Sequence, residues 1–254
     1  MPPAMTAAGA SLDSLAYFQQ LNAHFSAILS EPRARARLPE ALMVPAWQSF
    51  EANVARQCAD QPPVDCGRGC ATCCTLRVTA TAPEVLLLAD FIRAVTPALR
   101  ARGVDLRAQL AEAHDTTSGL GEQARVAARQ RCPFIAQGVC VVYQVRPLAC
   151  RGLASHDRKA CARAAAGKID QIPYSEPHMR LRSLVQNAMQ SALRDAGLPW
   201  QVYELNEALL IALEDAEAGA RWLRGDDVFA SAQVHEVDVH EMAQTFDQIK
   251  QLSA

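Results

Sequence analysis

The sequence contains no long apolar run and no excess of charge of either sign. No stretch approaches the roughly 18 uninterrupted apolar residues that a membrane-spanning helix needs, so we expect no membrane partner. The N-terminal stretch lacks the basic segment and apolar run of a secretory signal peptide, so we expect a cytoplasmic protein. Because the formal net charge is only −2, the composition gives no indication of a nucleic-acid partner, and we expect none.

Aromatic residues and the common catalytic motifs are also scarce. Aromatic side chains make up 6% of the sequence, whereas Ala, Leu, Glu, Gln and Arg are abundant, a composition that favours helix over sheet. We find no Ser/His/Asp set, no Walker loop and no paired-carboxylate motif that would name a reaction. Half of the residues are hydrophobic, enough for a substantial core. We therefore predict a mainly α fold, a single helical domain with a cysteine-rich metal-binding centre of loops and a short hairpin.

Apolar spacing divides this predicted domain into helices. We distinguish an N-terminal helical segment (1–57), a cysteine-cluster region (58–165) and a C-terminal helical segment (166–254) that pack together. Helical spacing predicts helices at 12–29, 45–59, 98–130, 176–196 and 205–225. A loop near 116–121 interrupts the third of these. The stretch QVHEVDVH near the C-terminus alternates with valine and predicts a short edge strand or a solvated stretch.

A capping box marks one further helix start. Thr81 and Glu84 stand at the N-cap and N3 positions, with Pro83 tolerated between them. We expect this helix to end or bend at Pro97. Its predicted buried face consists of Leu87, Leu88, Phe91 and Val95.

What the sequence has in abundance is cysteine, with nine residues. In a reducing compartment thiols stay reduced, so dense cysteine indicates metal or redox chemistry more than disulfides. Four cysteines lie within the stretch CGRGCATCC, where Gly67 and Gly69 allow the backbone to turn tightly. These four are Cys66, Cys70, Cys73 and Cys74.

A second group of four cysteines follows at wider spacing. Residues 135–138 resemble a turn between two short extended pieces, because valines and a tyrosine around it favour strand. A hairpin there would bring Cys132 and Cys140 together. The group consists of Cys132, Cys140, Cys150 and Cys161.

Eight clustered cysteines suffice for two four-thiolate sites. Four thiolates close a tetrahedral zinc site with Zn–S distances of about 2.3 Å, or hold a [4Fe–4S] cluster. Sulfur-only ligation suits both, so we predict bound zinc or iron, as mononuclear ions or an iron–sulfur cluster. Vicinal side chains usually diverge, so we expect Cys73 and Cys74 not to share one ion and at least one of them to be a ligand.

Other residues near the cysteines have simpler interpretations. Cys58 lies at a predicted helix end and is expected to be a buried structural thiol. His156 could replace a thiolate, but a polar loop residue is the better interpretation, and His178 reads as an ordinary surface or capping group. Four arginines flank the cysteines and would offset thiolate charge, and Arg146 and Arg151 are candidates for contact with the site. The four are Arg68, Arg131, Arg146 and Arg151.

The order of these motifs resembles a known cysteine-cluster family. Cys66-x3-Cys70-x2-Cys73-Cys74 is followed by Cys132-x7-Cys140 and Arg146-Pro147-x2-Cys150, over roughly residues 58–165. This pattern is similar to the YkgJ-type family, a zinc- or iron-chelating CxxCxxCC domain, except that the first gap here is three residues instead of two. Some relatives in flagellar systems resemble protein-lysine methylating enzymes with an iron–sulfur centre.

Three functions follow from these observations. The leading prediction is a metal-binding protein that chelates zinc or iron through its clustered cysteines. The resemblance implies an alternative, an iron–sulfur-dependent enzyme that modifies a protein side chain, for example by lysine N-methylation. The density of thiols leaves a third, a cytosolic thiol redox sensor.

Overall fold

Helices form nearly all of the regular structure. A computed structural model of the protein describes residues 12–169 and 171–252. Within these residues there are eleven α-helices and little sheet, which confirms the mainly α prediction. They are α1 (Ser14–Ser30), α2 (Leu38–Gln57), α3 (Ala82–Arg100), α4 (Leu106–Thr117), α5 (Glu122–Ala128), α6 (Leu148–Gly152), α7 (Arg158–Ala165), α8 (Glu176–Asp195), α9 (Leu205–Glu214), α10 (Ala218–Trp222) and α11 (Val239–Gln251).

Short strands and 3-10 turns connect the helices. β1 (Thr79–Thr81) pairs antiparallel with β4 (Val202–Glu204), and β2 (Ile135–Ala136) pairs antiparallel with β3 (Val139–Cys140). The 3-10 turns lie at Pro32–Arg37, Tyr143–Val145 and Ala230–Ala232. β1 and β4 therefore join the start of α3 to the start of α9, because each strand runs directly into its helix.

α8 is the helix on which the core is assembled. Leu181, Val185, Met189 and Leu193 recur every four residues on one face and are completely buried. This face packs against α1, α2 and α6. The helix ends before Gly197, whose φ of +71° is the left-handed conformation that terminates helices. The predicted helix at 176–196 is thus confirmed to within a residue.

The N-terminus of α3 has the predicted capping box. The Thr81 backbone N–H and hydroxyl donate to Glu84 Oε2 over 2.8 and 2.9 Å. Of the four residues predicted for the buried face, Leu88 is fully buried, and Leu87, Phe91 and Val95 are half-buried and pack against the core. α3 packs against both α2 and α9, so its buried stripe is rotated to Val85, Leu88, Ala89 and Ile92. Pro97 lies inside the helix, which continues to Arg100.

Several predicted helix bounds are corrected by the structure. α2 begins at Leu38 and contains Pro45, because the fully buried Leu42 and Met43 extend its apolar face before the proline. The tract at 98–130 is divided into the end of α3, α4 and α5, with a turn around Gly103 at φ +75°. The helix at 205–225 is interrupted between α9 and α10.

The C-terminal stretch fits the second of its two predicted forms, a solvated stretch, because residues 235–238 are exposed. Beyond an isolated bridge between Gln233 and Tyr203, the chain enters α11. Asp238 caps that helix by accepting from the backbone of His240 at 2.8 Å and Glu241 at 3.1 Å. The residues between the bridge and α11 therefore form a short exposed connection and not an edge strand.

None of the helices in the described part of the chain is both long enough and apolar enough to cross a membrane.

Candidate metal centre

The first cysteine segment, residues 66–74, folds without helix or strand. Successive backbone hydrogen bonds turn it, from Cys70 N–H to Gly67 O at 3.0 Å and from Cys74 N–H to Ala71 O at 3.2 Å. Gly69 has a φ of +89°, which a residue with a Cβ adopts only at a cost. The tight turning predicted for this segment is therefore present, and its glycine at position 69 is needed for it.

Main-chain hydrogen bonds join the first cysteine segment, or the residue just before it, to the second cysteine segment (residues 132–161) at two places. The Cys132 N–H donates to Cys74 O over 2.7 Å, and the Asp65 N–H donates to Ser155 O over 2.9 Å. Next to the second bond, the Ser155 N–H donates to Cys66 Sγ over 3.3 Å. The two segments, more than fifty residues apart in sequence, thus lie side by side.

The predicted hairpin around residues 135–138 is confirmed. β2 and β3 pair Ile135 with Cys140, and the turn between them has φ of 49° at Gln137 and 80° at Gly138. Positive φ at both central residues is typical of the tight turn that matches strand twist. Cys140 therefore lies near Cys132, with which it interacts electrostatically.

Cys150 lies on the short helix α6, which is fixed at its N-terminus by a buried carboxylate. Glu84 Oε1 accepts from the Leu148 N–H over 2.7 Å, while Oε2 is occupied by Thr81. Glu84 is only 3% exposed, and burial raises its pKa above the usual range against the opposing effect of these hydrogen bonds. A single side chain therefore caps both α3 and α6.

α6 and α8 approach each other closely at Gly152. A Cβ at this position would lie 2.5 Å from the Cβ of Arg182, a contact that a side chain cannot avoid by rotating. Only glycine allows the two helices to pack this closely. The packing places α8 behind Cys150 and extends the site to residues outside the cysteine-rich region.

Seven of the eight predicted ligands line one cavity of about 370 Å³. They are Cys66, Cys70, Cys73, Cys74, Cys132, Cys140 and Cys150. The eighth, Cys161, lines a neighbouring cavity of about 220 Å³ together with Cys66, Cys70 and Cys73. The fold thus brings all eight predicted ligands to two adjoining cavities that share part of their walls.

The thiol of Cys73 interacts with both groups of cysteines. A hydrogen bond with the thiol of Cys74 and burial raise its pKa strongly. Its charge in turn raises the pKa of Cys66 on one side and of Cys132 and Cys150 on the other. The expectation that Cys73 and Cys74 do not share one ion stays a prediction, and their thiols lie close enough for Cys74 to raise the pKa of Cys73.

Burial is the main cause of the raised pKa at Cys66, Cys132, Cys140 and Cys150. It raises the pKa of Cys132 to about 11, with smaller contributions from the charges of Cys140 and Cys73. Burial also raises the pKa of Cys150, and nearby Cys132, Cys140 and Cys73 add to the effect. In the absence of metal these thiols are protonated at neutral pH, so metal binding must displace their protons.

Two of the four flanking arginines reach the site from within. Arg146 lies 4.0 Å over the ring of Tyr143 and lowers the pKa of Cys73, Cys140 and Cys150 against the larger effects that raise them. Arg151 is buried and lines the same cavity.

The other two flanking arginines are less involved. Arg131 is exposed at the rim of the larger cavity, and Arg68 is exposed outside both cavity walls.

Arg151 holds the loop before Cys150 in place. Its guanidinium donates to the carbonyl of Arg146 over 3.0 Å and pairs with Glu51. It also stacks 4.5 Å over the ring of Trp47, on α2. The arginine predicted as a contact of the site therefore serves mainly to attach the loop to α2.

A histidine that sequence reasoning dismissed lies in the cavity wall. His178 Nδ1 is 2.7 Å from Ser175 Oγ and 3.9 Å from Cys58 Sγ. Burial lowers its pKa, which favours the neutral imidazole. By contrast, His156 is a loop residue whose Nδ1 lies 3.3 Å from Pro63 O, in agreement with the simpler interpretation. The only sequence signal for His178 was its position three residues after the N-cap of α8.

The cysteines share cavity walls without forming a preassembled ligand cage. Among residues 12–169 and 171–252, no three Cys, His, Asp or Glu side chains form a group that could hold a metal ion as placed. All nine cysteines are free thiols. The donor set nevertheless suits zinc or iron chemically, because both bind clustered thiolates. Ligation requires the thiols to lose their protons and rotate toward a common point.

Comparison with known proteins identifies the cysteine-rich part of the chain. Residues 65–170 match the CxxCxxCC family. That family is described as a "Putative zinc- or iron-chelating domain". The match confirms the resemblance found in the cysteine spacing and contains all eight predicted ligands, whereas Cys58, His178 and Arg182 lie outside it. No curated protein and no solved structure matches the chain.

Proposed function

We propose that this protein binds zinc or iron at two adjoining four-thiolate sites. The observation that carries the proposal is the placement of all eight cysteines around two cavities with a shared wall. The match to a zinc- or iron-chelating family supports the same chemistry independently of the geometry.

The cavity walls suggest how the cysteines divide. The smaller cavity is lined by four of them, which we assign to the first site: Cys66, Cys70, Cys73 and Cys161. The remaining four line the larger cavity, and we assign them to the second site: Cys74, Cys132, Cys140 and Cys150. In this arrangement Cys73 belongs to the first site and Cys74 to the second, so the two metals would lie on either side of the vicinal pair.

Anaerobic purification followed by metal analysis tests the proposal. We expect stoichiometric zinc in a colourless protein, or iron with acid-labile sulfide in a brown one. The second result would favour the iron–sulfur enzyme over a purely chelating role. A protein without either metal, whose thiols form disulfides reversibly, would overturn the proposal in favour of a redox sensor.

Single cysteine variants test the division into two sites. We expect Cys161→Ser and Cys140→Ser each to remove about half of the bound metal, because each removes a ligand from one site only. Cys58→Ser is the matched control and should keep the full content, since Cys58 contacts Ser175 and His178 instead. If either ligand variant keeps the full content, that residue leaves the ligand set.

A further inference from the structure

The larger cavity has more room than a metal site requires. Four thiolates close around a zinc ion at about 2.3 Å, leaving no space between them for another molecule. The cavity measures about 370 Å³, which lies within the range of roughly 300 to 1,000 Å³ typical of small-molecule pockets. Part of its wall is apolar, formed by Phe134, Val142 and Leu153 among others. The cavity can therefore hold an organic molecule beside the cysteines.

Two arginines in this wall lack hydrogen-bond and ion-pair partners. Arg146 and Arg182 both line the cavity, and the Nε of each is buried without a hydrogen-bond partner. Neither guanidinium forms an ion pair with the described residues. Glu84 is influenced by the charge of Arg182, but its oxygens are occupied by Thr81 and Leu148. Buried polar groups without partners are rare in folded proteins, so these two need an explanation.

Three other arginines of the same wall are paired with carboxylates, and a fourth, Arg131, is exposed to solvent. Arg77 pairs with Glu236 at 2.7 Å, Arg125 pairs with Glu204 at 3.1 Å, and Arg151 pairs with Glu51. The lack of hydrogen-bond and ion-pair partners at Arg146 and Arg182 is therefore not a general property of the cavity wall.

Both unpartnered arginines are held in place by packing. Arg146 is stacked on Tyr143, and the stem of Arg182 is pressed against Gly152. A guanidinium that is already immobilised loses little entropy when it binds an oxyanion.

The negative charge of the thiolates could account for the unpartnered guanidinium group of Arg146, but not for that of Arg182. Arg146 acts on Cys73, Cys140 and Cys150, so it would offset their charge in the metal-bound state. Arg182 acts instead on the buried Glu84, whose oxygens already accept from Thr81 and Leu148, so the Nε of Arg182 remains without a hydrogen-bond acceptor. Of the two arginines, Arg182 is therefore the stronger indication that the cavity binds an anionic ligand.

We propose that the larger cavity binds a small organic anion, whose carboxylate or phosphate oxygens are held by Arg146 and Arg182. A planar guanidinium fork matches both groups, and the apolar part of the wall accommodates the rest of the molecule. The inference goes beyond metal binding, because it concerns cavity space and charges that the eight thiols do not use.

Calorimetric titration of the purified, metal-containing protein tests this proposal. The probes are inorganic phosphate and succinate, which separate the two kinds of oxyanion, with succinamide as the uncharged control. We expect at least one anion to bind with a Kd below about 10 mM, and succinamide not to bind. If neither anion binds in that range, the proposal is wrong.

Variants of α8 and of the loop before α6 locate the site. Arg182→Gln and Arg146→Gln are each expected to weaken anion binding by about tenfold or more, and Arg182→Lys by less. Arg180→Gln is the matched control on the same helix, because Arg180 pairs with Glu176 and Gln57 and lies outside the cavity wall. Unchanged affinity in Arg182→Gln would overturn the proposal.

Metal content, measured in every variant, separates this proposal from the proposed function. If Arg182→Gln loses metal while anion affinity is unchanged, Arg182 serves the metal centre and the anion site is wrong. If the wild-type protein binds the anion through Arg182 but contains no metal, the anion site stands and the metal-binding function fails.

Discussion

The two cysteine segments are positioned by different means. In the first, no residue from 54 to 79 is buried, and the chain is shaped by turns and a few main-chain bonds. In the second, Cys140, Cys150 and Cys161 stand on a hairpin and two helices, and Cys132 lies just before the hairpin. The fully or nearly fully buried Phe134, Val142 and Leu148 lie in the same segment. Burial of such side chains contributes about 1.5 to 3 kcal/mol each. The fold therefore determines the position of the second segment, and we expect the proposed metal binding to contribute more to the order of the first.

The most damaging way to disturb the second segment is to remove Glu84. Glu84→Ala leaves the buried N–H groups of Thr81 and Leu148 without acceptors, and we expect a loss of about 3 to 5 kcal/mol in the free energy of unfolding. Urea denaturation measures this free energy of unfolding. Glu122→Ala, at an exposed first-turn position of α5, should change stability by only about 0.5 kcal/mol. Equal losses in the two variants would contradict the double capping role.

Gly152 offers a second way to disturb the same segment. Gly152→Ala forces a Cβ against the stem of Arg182, and we expect it to reduce the free energy of unfolding by about 2 to 3 kcal/mol. Gly219→Ala is the matched control in another five-residue helix, where the added Cβ meets Leu86 at an ordinary 3.7 Å. That substitution should be neutral or slightly stabilising by helix propensity. A Gly152→Ala protein as stable as the Gly219→Ala protein would show that α6 and α8 can separate without cost.

A glycine pair tests the first segment. Gly69→Ala places a Cβ at φ +89°, so we expect a cost of about 1 to 2 kcal/mol, seen mainly as reduced metal content because few buried contacts depend on this segment. Gly67→Ala has open space and an ordinary φ, and should bind metal as the wild type does. Similar metal content in both variants would remove the need for the left-handed turn at position 69.

We also expect a pH dependence of the metal-free protein. The pKa of Cys132 is raised from 9.0 to about 11 in the folded state, so its contribution to stability is complete below pH 9 and is lost as the pH rises from 9 to 11. We expect Tm to fall over this interval in chelator-treated protein. Cys132→Ser should reduce that fall. An identical fall in the variant would assign the effect to other thiols.

Local signals made part of the fold predictable. The capping box at Thr81 and Glu84, the stripe of α8 and the hairpin after Cys132 are each encoded within a few residues, and the structure contains them. The start of α2 was mispredicted because Pro45 is a good first-turn residue, while the buried Leu42 and Met43 extend the helix before it. Tertiary packing in this case outweighs the local preference of proline.

The candidate site was predictable only in its chemistry. Cysteine spacing identifies the thiols, because a thiol-rich motif is a property of neighbouring residues. Arg182 and His178 belong to the cavity only because α8 packs on α6, and no local pattern encodes that contact. The division into three segments (1–57, 58–165 and 166–254) and the set of eight ligands remain predictions.

The main-chain bonds between the two segments bear on how such a site evolves. The bonds from Cys132 to Cys74 and from Asp65 to Ser155 involve only backbone atoms, which every residue except proline at the donor position supplies. The side chains at these positions can therefore be exchanged without separating the segments. A lineage that replaced one cysteine by histidine or aspartate would keep the framework and change only the metal that it prefers.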